Sequence, residues 1–355
     1  MTAGHTSFVR RLVPANFRDP VGLVRRILRS KDPAAYFAML STGLSALAAP
    51  LDMALAATAE RRWLREAATP RWPVILVTGA PRSGTTVLSQ VLIHHLPVSY
   101  FNNLTSVFPR APITANRLFG RFLSKPSGEL RSFYGRTSGF AAENDALHLW
   151  DRWLGPDRYA APRRLDPATA DAIRRFFAAW ERAFGRPVLN KNNALATGIE
   201  AIADALPTAH FLFIRRDPVF AVQSILGARE TIQGTRVAPY GVADPERRGP
   251  DASPIEQVCA QVLYHERRME EQRRSIGAGR VWVVEYEDFC RAPHAIVERA
   301  GREILGLTIA PNALAAALPP LRNTNRATLP AAEMHEIRDT LARLSTADAA
   351  AVARA

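Results

Sequence analysis

The sequence predicts an α/β fold of three layers, a central parallel sheet with helices on both faces. Three observations carry that prediction. Short, mostly apolar runs recur at Val74–Val77, Pro187–Lys191, His210–Ile214 and Val281–Val284, as expected of strands buried on both faces. A helical pattern follows each run, and such alternation argues for parallel crossovers. The 355 residues are 47% hydrophobic, enough for one large domain with appendages.

Charge and cysteine content narrow the partners. The net charge is +13, and lysine occurs only at Lys31, Lys125 and Lys191. An anionic ligand, an acidic glycan or an anionic membrane surface would suit that balance. Nucleic acid is not expected, because no zinc-finger, homeodomain or RNA-recognition signature is present. Cys259 and Cys290 lack metal-ligand spacing and are too few for a disulfide framework. They read as buried apolar residues of a reducing compartment. The expected location is therefore cytoplasmic, with association to the cytoplasmic face of a membrane as the alternative.

Residues 1–70 read as a basic, helical extension carrying Arg10, Arg11, Arg18, Arg25, Arg26, Arg29 and Lys31. No apolar segment follows the first arginines, so a secretory signal is not expected. Residues 34–49 are apolar but short of the ~20 needed to span a bilayer. They read either as helices packed on the domain or as an interfacial element. In the second case Phe37, Met39, Leu40, Leu44 and Leu47 would enter the acyl boundary.

The α/β domain is assigned to residues 71–310. Its first strand ends in a turn of small residues, Gly79 to Thr86, and Val87, Leu88, Val91 and Leu92 then mark the apolar face of a helix. Strand, glycine turn and helix together form a phosphate cradle. Backbone N–H groups point inward, and the helix N-terminus adds about half a positive charge. Gly79, Gly84 and Thr86 fit the spacing of the nucleotide P-loop, so the core is P-loop-like. Thr85, however, stands where the lysine should be, and Arg82 is the loop's only long cation. A nucleoside-triphosphate kinase needs that lysine; a loop without it suits a shorter anion.

Residues 97–165 are irregular and read as the acceptor segment. Asn102–Asn103 and Phe108–Pro112 read as loop, and 143–154 as a helix. Asp166 and Pro167 open a helix to about Phe184. Helices are then expected over 195–206, 218–228, 254–275 and 293–305. Residues 229–253, with Arg229, Arg236, Tyr240, Arg247 and Arg248, read equally as a mobile lid or a solvated loop. The tail, 311–355, carries Arg322, Asn323, Asn325 and Arg326, then a surface helix.

Four of these motifs together resemble one family. Pro81-Arg-Ser-Gly-Thr-Thr86 resembles the 5′-phosphosulfate loop of sulfotransferases, which use 3′-phosphoadenylyl sulfate (PAPS). Arg216 at a strand end, with Ser224 eight residues on, resembles their 3′-phosphate motif. Asn190-Lys191-Asn192 resembles the strand end of tyrosylprotein sulfotransferases and related bacterial enzymes, whose lysine faces the transferring group. Tyr286, in Val284-Glu-Tyr-Glu-Asp-Phe289, resembles the family's Tyr-Glu-x-Leu/Phe motif near the nucleotide. The resemblance covers about residues 72–306.

It implies a PAPS-dependent sulfotransferase. Arg82 and Lys191 would stabilise the transferring group. Ser83, Gly84, Thr85 and Thr86 would hold the 5′-phosphosulfate. Arg216 and Ser224 would hold the 3′-phosphate, with Tyr286 nearby. No metal is expected, and Glu285, Glu287 and Asp288 are not read as a metal site. The expected acceptor is a hydroxyl of a glycan or glycolipid. One departure matters: tyrosylprotein enzymes carry a catalytic Glu shortly after the first helix, whereas Pro97 to Thr105 contains no acid. Glu143 is the first candidate base, followed by Asp145, with His94, His95 and His148 behind them. Two other classes stay open: a P-loop-type nucleotide kinase or hydrolase, and a non-catalytic nucleotide-binding protein.

Overall fold

The computed structural model describes residues 20–66, 68–123, 130, 132–155, 157, 162, 164–245 and 252–352. Arg10, Arg11, Arg18, Lys125, Arg247 and Arg248 lie outside the described residues. The strands are β1 (Val74–Thr78), β2 (Ser99–Tyr100), β3 (Val188–Lys191), β4 (Ala209–Arg215) and β5 (Val281–Glu285). They form one sheet in the order β2-β3-β1-β4-β5, with every pairing parallel.

Alternation along β1 shows why the run is apolar throughout. Val74 and Leu76 face a cluster with Phe176, Phe177 and Trp180 of helix Pro167–Phe184. Ile75 and Val77 face Leu88 and Leu92 of helix Thr85–His95 and Val297 of helix Pro293–Glu303. Both faces are covered, as a parallel sheet requires. In register, Val77 pairs with Lys191 on one side and Leu212 on the other. The C-terminal ends of β3, β1 and β4 therefore lie side by side, where open α/β sheets bind ligands.

Four expectations change. The helix expected over 143–154 runs only from Leu147 to Leu154. Asn144 Oδ1 accepts the Ala146 N–H at 2.7 Å, and Ala146 sits at φ 51°, so the chain turns there. The helix expected over 195–206 splits at Gly198 into a 3₁₀ turn, Asn193–Thr197, and a helix, Ile199–Ala205. The segment expected as loop holds β2 and the helices Asn103–Val107 and Pro112–Phe119. The last helix, Ala331–Val352, buries Met334, Ile337, Leu341 and Leu344 against Val258, Cys259 and Val262, so it belongs to the core.

Helix Pro20–Ser30 packs on Pro33–Leu47 and on Arg229–Gln233, while helices Pro33–Leu47 and Ala49–Leu55, with the turn Ala56–Glu60, pack on the 97–165 segment. Two buried carboxylates join them to it. Asp52 accepts the N–H groups of Arg110 at 3.0 Å and Ala111 at 2.9 Å. Glu60 accepts those of Ile113 at 3.2 Å and Thr114 at 2.8 Å, and the Thr114 hydroxyl at 2.7 Å. Together they satisfy donors at the start of helix Pro112–Phe119 that no carbonyl of that helix can reach. Burial raises the pKa of Glu60 in spite of these bonds. The outer face of the same helices leaves Leu40, Leu47, Leu51 and Met53 exposed. Among the described residues no single helix is long and apolar enough to cross a membrane; Pro33–Leu47 and Ala49–Arg65 are bent by 63° from one another.

Candidate active site

The loop after β1 is built tightly. Thr78 donates its hydroxyl to the Asn192 carbonyl at 2.9 Å, which ties the loop to the end of β3. A Cβ on Gly79 would lie 2.5 Å from the Ile214 carbonyl oxygen. Gly84 has φ +107°, and a Cβ there would lie 2.7 Å from the Tyr286 ring, so both backbone and space demand glycine. Between them Arg82 adopts φ 69°, a left-handed conformation that costs a non-glycine residue roughly 1–2 kcal/mol. It is held by donation from Nε to Ser224 Oγ at 3.1 Å and by stacking 4.8 Å over the Tyr134 ring. The Ser83 side chain turns inward: its N–H and hydroxyl both go to the Ala80 carbonyl, at 3.2 and 2.8 Å. Ser83 therefore braces the loop, while Gly84, Thr85 and Thr86 line the cavity above it.

Arg216 follows β4 and is only 9% exposed. Its Nε donates to Asn325 Oδ1 at 2.7 Å, Nη1 to the Arg82 carbonyl at 3.1 Å and Nη2 to Thr324 Oγ1 at 3.2 Å. The guanidinium stacks 4.9 Å over the Tyr286 ring, and burial pulls its pKa below the ordinary value. Among the described residues neither Arg216 nor Arg82 has a carboxylate within 4.0 Å. A buried guanidinium with no carboxylate in direct contact is costly unless a ligand supplies a counter-charge. Ser224 bonds Arg82 and does not line the cavity. Thr324 and Asn325 are site residues whose roles the sequence leaves unassigned. Their signal is the short polar run Arg322–Arg326, which has no fixed partner until the fold brings it beside β4.

Lys191 ends β3 and is 4% exposed. Its Nζ donates to Thr86 Oγ1 at 3.2 Å and forms an ion pair with Asp145. The ammonium that the loop lacks thus comes from the neighbouring strand. Thr85, at the P-loop lysine position, donates its hydroxyl to Asn193 Oδ1 at 2.9 Å.

A network of asparagines fixes the turn that carries Asp145. Asn144 Nδ2 donates to Asn103 Oδ1 at 2.6 Å, Asn190 Nδ2 to the Asn144 carbonyl at 3.0 Å and Asn192 Nδ2 to the Asp145 carbonyl at 3.3 Å. Trp150 Nε1 holds Asn190 Oδ1 at 2.7 Å. Buried and paired, these amides lock the turn against β3. Asn102–Asn103, read from the sequence as loop, belongs to this interior scaffold.

The cavity has a volume of about 930 Å³. Among the described residues Arg82, Arg136, Lys191, Arg216 and Arg322 are its Arg and Lys lining and Asp145 its acidic lining residue, and Tyr286 also lines it. Glu143, the first candidate base, is not in the wall. Its backbone bridges Asn102, its carbonyl accepts from Thr137 Oγ1 at 2.7 Å, and its side chain lies in the interior. Glu143 Oε1 has no hydrogen-bond partner, and burial pushes the carboxyl up to about 7. Asp145 and His148 line the cavity; His94 and His95 do not, and His94 Nδ1 lies 2.7 Å from the Gln90 carbonyl of its own helix.

The described part of the 229–253 run is a wall of the same cavity. Arg229 Nη1 donates to the Arg236 carbonyl at 3.0 Å, and Gln261 Nε2 to the carbonyls of Tyr240 at 2.8 Å and Val242 at 2.7 Å. These bonds seat Gly241 against Pro81, where a Cβ would come within 2.6 Å of the proline ring.

A family model described as the sulfotransferase family matches residues 73–309. The fold is similar to that of sulfotransferase STF9 from Mycobacterium avium, with TM-score 0.54 and 16% identity over 95% of each chain. It is also similar to sulfotransferase STF1 from Mycobacterium tuberculosis H37Rv, with TM-score 0.51 and 14% identity over 95% of this chain and 97% of that one. No curated protein matches the sequence.

Proposed function

The chain belongs to the sulfotransferase family, and from that premise we propose that it transfers a sulfuryl group from PAPS to a hydroxyl acceptor. One observation carries the donor assignment. Arg82 and Arg216 are joined by a 3.1 Å bond, face one cavity and lack carboxylate partners among the described residues. A donor bearing both a 5′-phosphosulfate and a 3′-phosphate fits two adjacent cations beside a glycine loop at a helix N-terminus.

In this reading Gly84, Thr85 and Thr86 hold the 5′-phosphosulfate, Ser83 braces their loop, and Ser224 orients Arg82. Arg216, supported by Thr324 and Asn325, takes the 3′-phosphate, and Tyr286 stacks beneath it. When bound, the donor supplies the sulfuryl group: the acceptor O–S bond forms as the S–O bond to the 5′-phosphate breaks, and the electron pair stays on the phosphate. Lys191 and Arg82 neutralise the charge that builds on that oxygen. We assign the base to Asp145 in place of Glu143, because Asp145 faces the cavity beside Lys191 and takes the acceptor's proton there. No metal enters these roles.

A glycan or glycolipid hydroxyl suits this chemistry. The exposed Leu40, Leu47, Leu51 and Met53 support peripheral contact with an anionic membrane, on its cytoplasmic face. Calorimetry with 3′,5′-ADP, 5′-AMP and ATP, each with and without Mg²⁺, tests the donor. Metal-independent binding of 3′,5′-ADP, much tighter than 5′-AMP, is expected. Preference for Mg²⁺–ATP would instead support the kinase reading. Transfer of labelled sulfate to a hydroxyl acceptor would exclude a non-catalytic binding protein.

A further inference from the structure

The cavity has two chemically different ends, and we propose that the second one binds the apolar body of an amphiphilic, hydroxyl-bearing acceptor. The inference rests on the sulfuryl-transfer reading of the first end. Helices Pro20–Ser30 and Pro33–Leu47 supply the second wall with Leu23, Val24, Ile27, Phe37, Ala38 and Met39, and none of the residues they contribute is charged. Of the three hydroxyl side chains in that wall, Ser41, Thr42 and Ser45, two are already engaged. Ser41 Oγ and Thr42 Oγ1 both donate to the Ala38 carbonyl, each at 2.9 Å.

A sugar buried against such a surface would lose water from its hydroxyls and find few partners. An alkyl or isoprenoid-like chain would lose nothing polar and would bury apolar area. The polar groups sit at the other end, where Asp145, Lys191 and His148 line the cavity. An acceptor with one hydroxyl-bearing head and an apolar body matches both ends at once.

The route of entry agrees. Val24 and Met39 line the cavity and are also 43% and 38% exposed, so the apolar wall reaches the surface. There it continues into exposed Leu28 and Leu40, beside exposed Arg25, Arg29 and Lys31. Apolar residues ringed by cations suit a molecule drawn from an anionic lipid surface. The outer groups are common to many helices; the uncharged wall inside the cavity is what selects the acceptor.

Two probes test this: dodecyl maltoside below its micelle concentration, and maltose, each titrated calorimetrically into the full chain with 3′,5′-ADP present. Saturable binding of dodecyl maltoside without binding of maltose is expected. Val24→Asp and Met39→Asp, both at partly exposed positions, should weaken it about tenfold or more and leave 3′,5′-ADP affinity unchanged. Leu47→Asp, on a residue 80% exposed and outside the cavity, should leave it unchanged. Equal binding of maltose, or no loss in the cavity variants, overturns the proposal. So does an equal loss in Leu47→Asp, which would mark adsorption to the outer surface. If the chain bound the detergent in this pattern but not 3′,5′-ADP, the donor reading would fall and the apolar site would stand.

Discussion

Glu143→Gln separates the two acids of the 143–145 turn. Burial raises the Glu143 carboxyl from its ordinary 4.5 to about 7. At one unit per 1.36 kcal/mol, that shift corresponds to roughly 3 kcal/mol between the protonation states. The sign follows from proton counting. Between about 4.5 and 7 the folded chain keeps a proton that the unfolded chain releases, so stability falls as pH rises through that window. Above 7 the ionised carboxylate is buried with Oε1 unpartnered, and the full penalty is present. Glutamine keeps the shape and cannot ionise. The variant should therefore match the parent near pH 4 and exceed it by up to roughly 3 kcal/mol at pH 8. Urea unfolding across pH 4–8 measures this. Glu143→Gln should also retain turnover, whereas Asp145→Asn should lower kcat by about 10²–10⁴ with little change in 3′,5′-ADP affinity. An unchanged pH slope in Glu143→Gln would refute the burial argument. Lost turnover there, with Asp145→Asn active, would return the base to Glu143.

Arg216→Ala should weaken 3′,5′-ADP about 10- to 100-fold and leave 5′-AMP nearly unchanged, read by calorimetry; equal losses would remove the 3′-phosphate assignment. Asp52→Ala strands two backbone N–H groups and should cost about 2–4 kcal/mol in denaturant unfolding, whereas a change within ~0.5 kcal/mol would show that the N-terminal helices are a loose appendage. Cosedimentation with phosphatidylglycerol vesicles at low salt should be lost in the double variant Leu40→Asp/Leu47→Asp; point variants serve better than deletion of residues 1–60, which would also remove Asp52 and Glu60. Vesicle binding that survives the double variant would take these leucines out of the membrane contact.

The sheet was legible in the sequence because its strands are buried on both faces and therefore apolar without interruption. The glycine loop after β1 was legible because Gly79 and Gly84 answer local backbone demands, and such demands leave their mark within a few residues. The 97–165 segment was not, because its order comes from distant partners. Asn103, Asn144 and Asn190 are ordinary loop residues until β3 lies beside the turn, and only then do their amides satisfy one another. Glu143 and Asp145 differ by two positions in a run that reads as helix, so nothing local says which one faces the cavity. The turn at Ala146, held by Asn144, makes that choice. Thr324 and Asn325 were missed for the same reason: their partner Arg216 lies more than a hundred residues away.

Lys191 shows how tightly the reacting end is specified. Three of the 46 basic residues are lysine, so this chain uses arginine almost everywhere it needs a cation. At position 191 the shape of the cation matters. Lys191 Nζ donates to Thr86 Oγ1 at 3.2 Å and pairs with Asp145. A planar guanidinium is wider than an ammonium and presents its donors in a fixed fork. In the proposed transfer the group would serve two partners in turn, Asp145 in the resting site and the phosphate oxygen as the S–O bond breaks. A compact cation with three rotatable donors can do so with little motion, and a fork that prefers bidentate pairing would hold Asp145. Lys191→Arg should therefore keep 3′,5′-ADP affinity within a few-fold yet lower kcat by about 10²–10³. It should resemble Lys191→Ala more than the parent. Near-parental turnover in Lys191→Arg would show that charge alone suffices there.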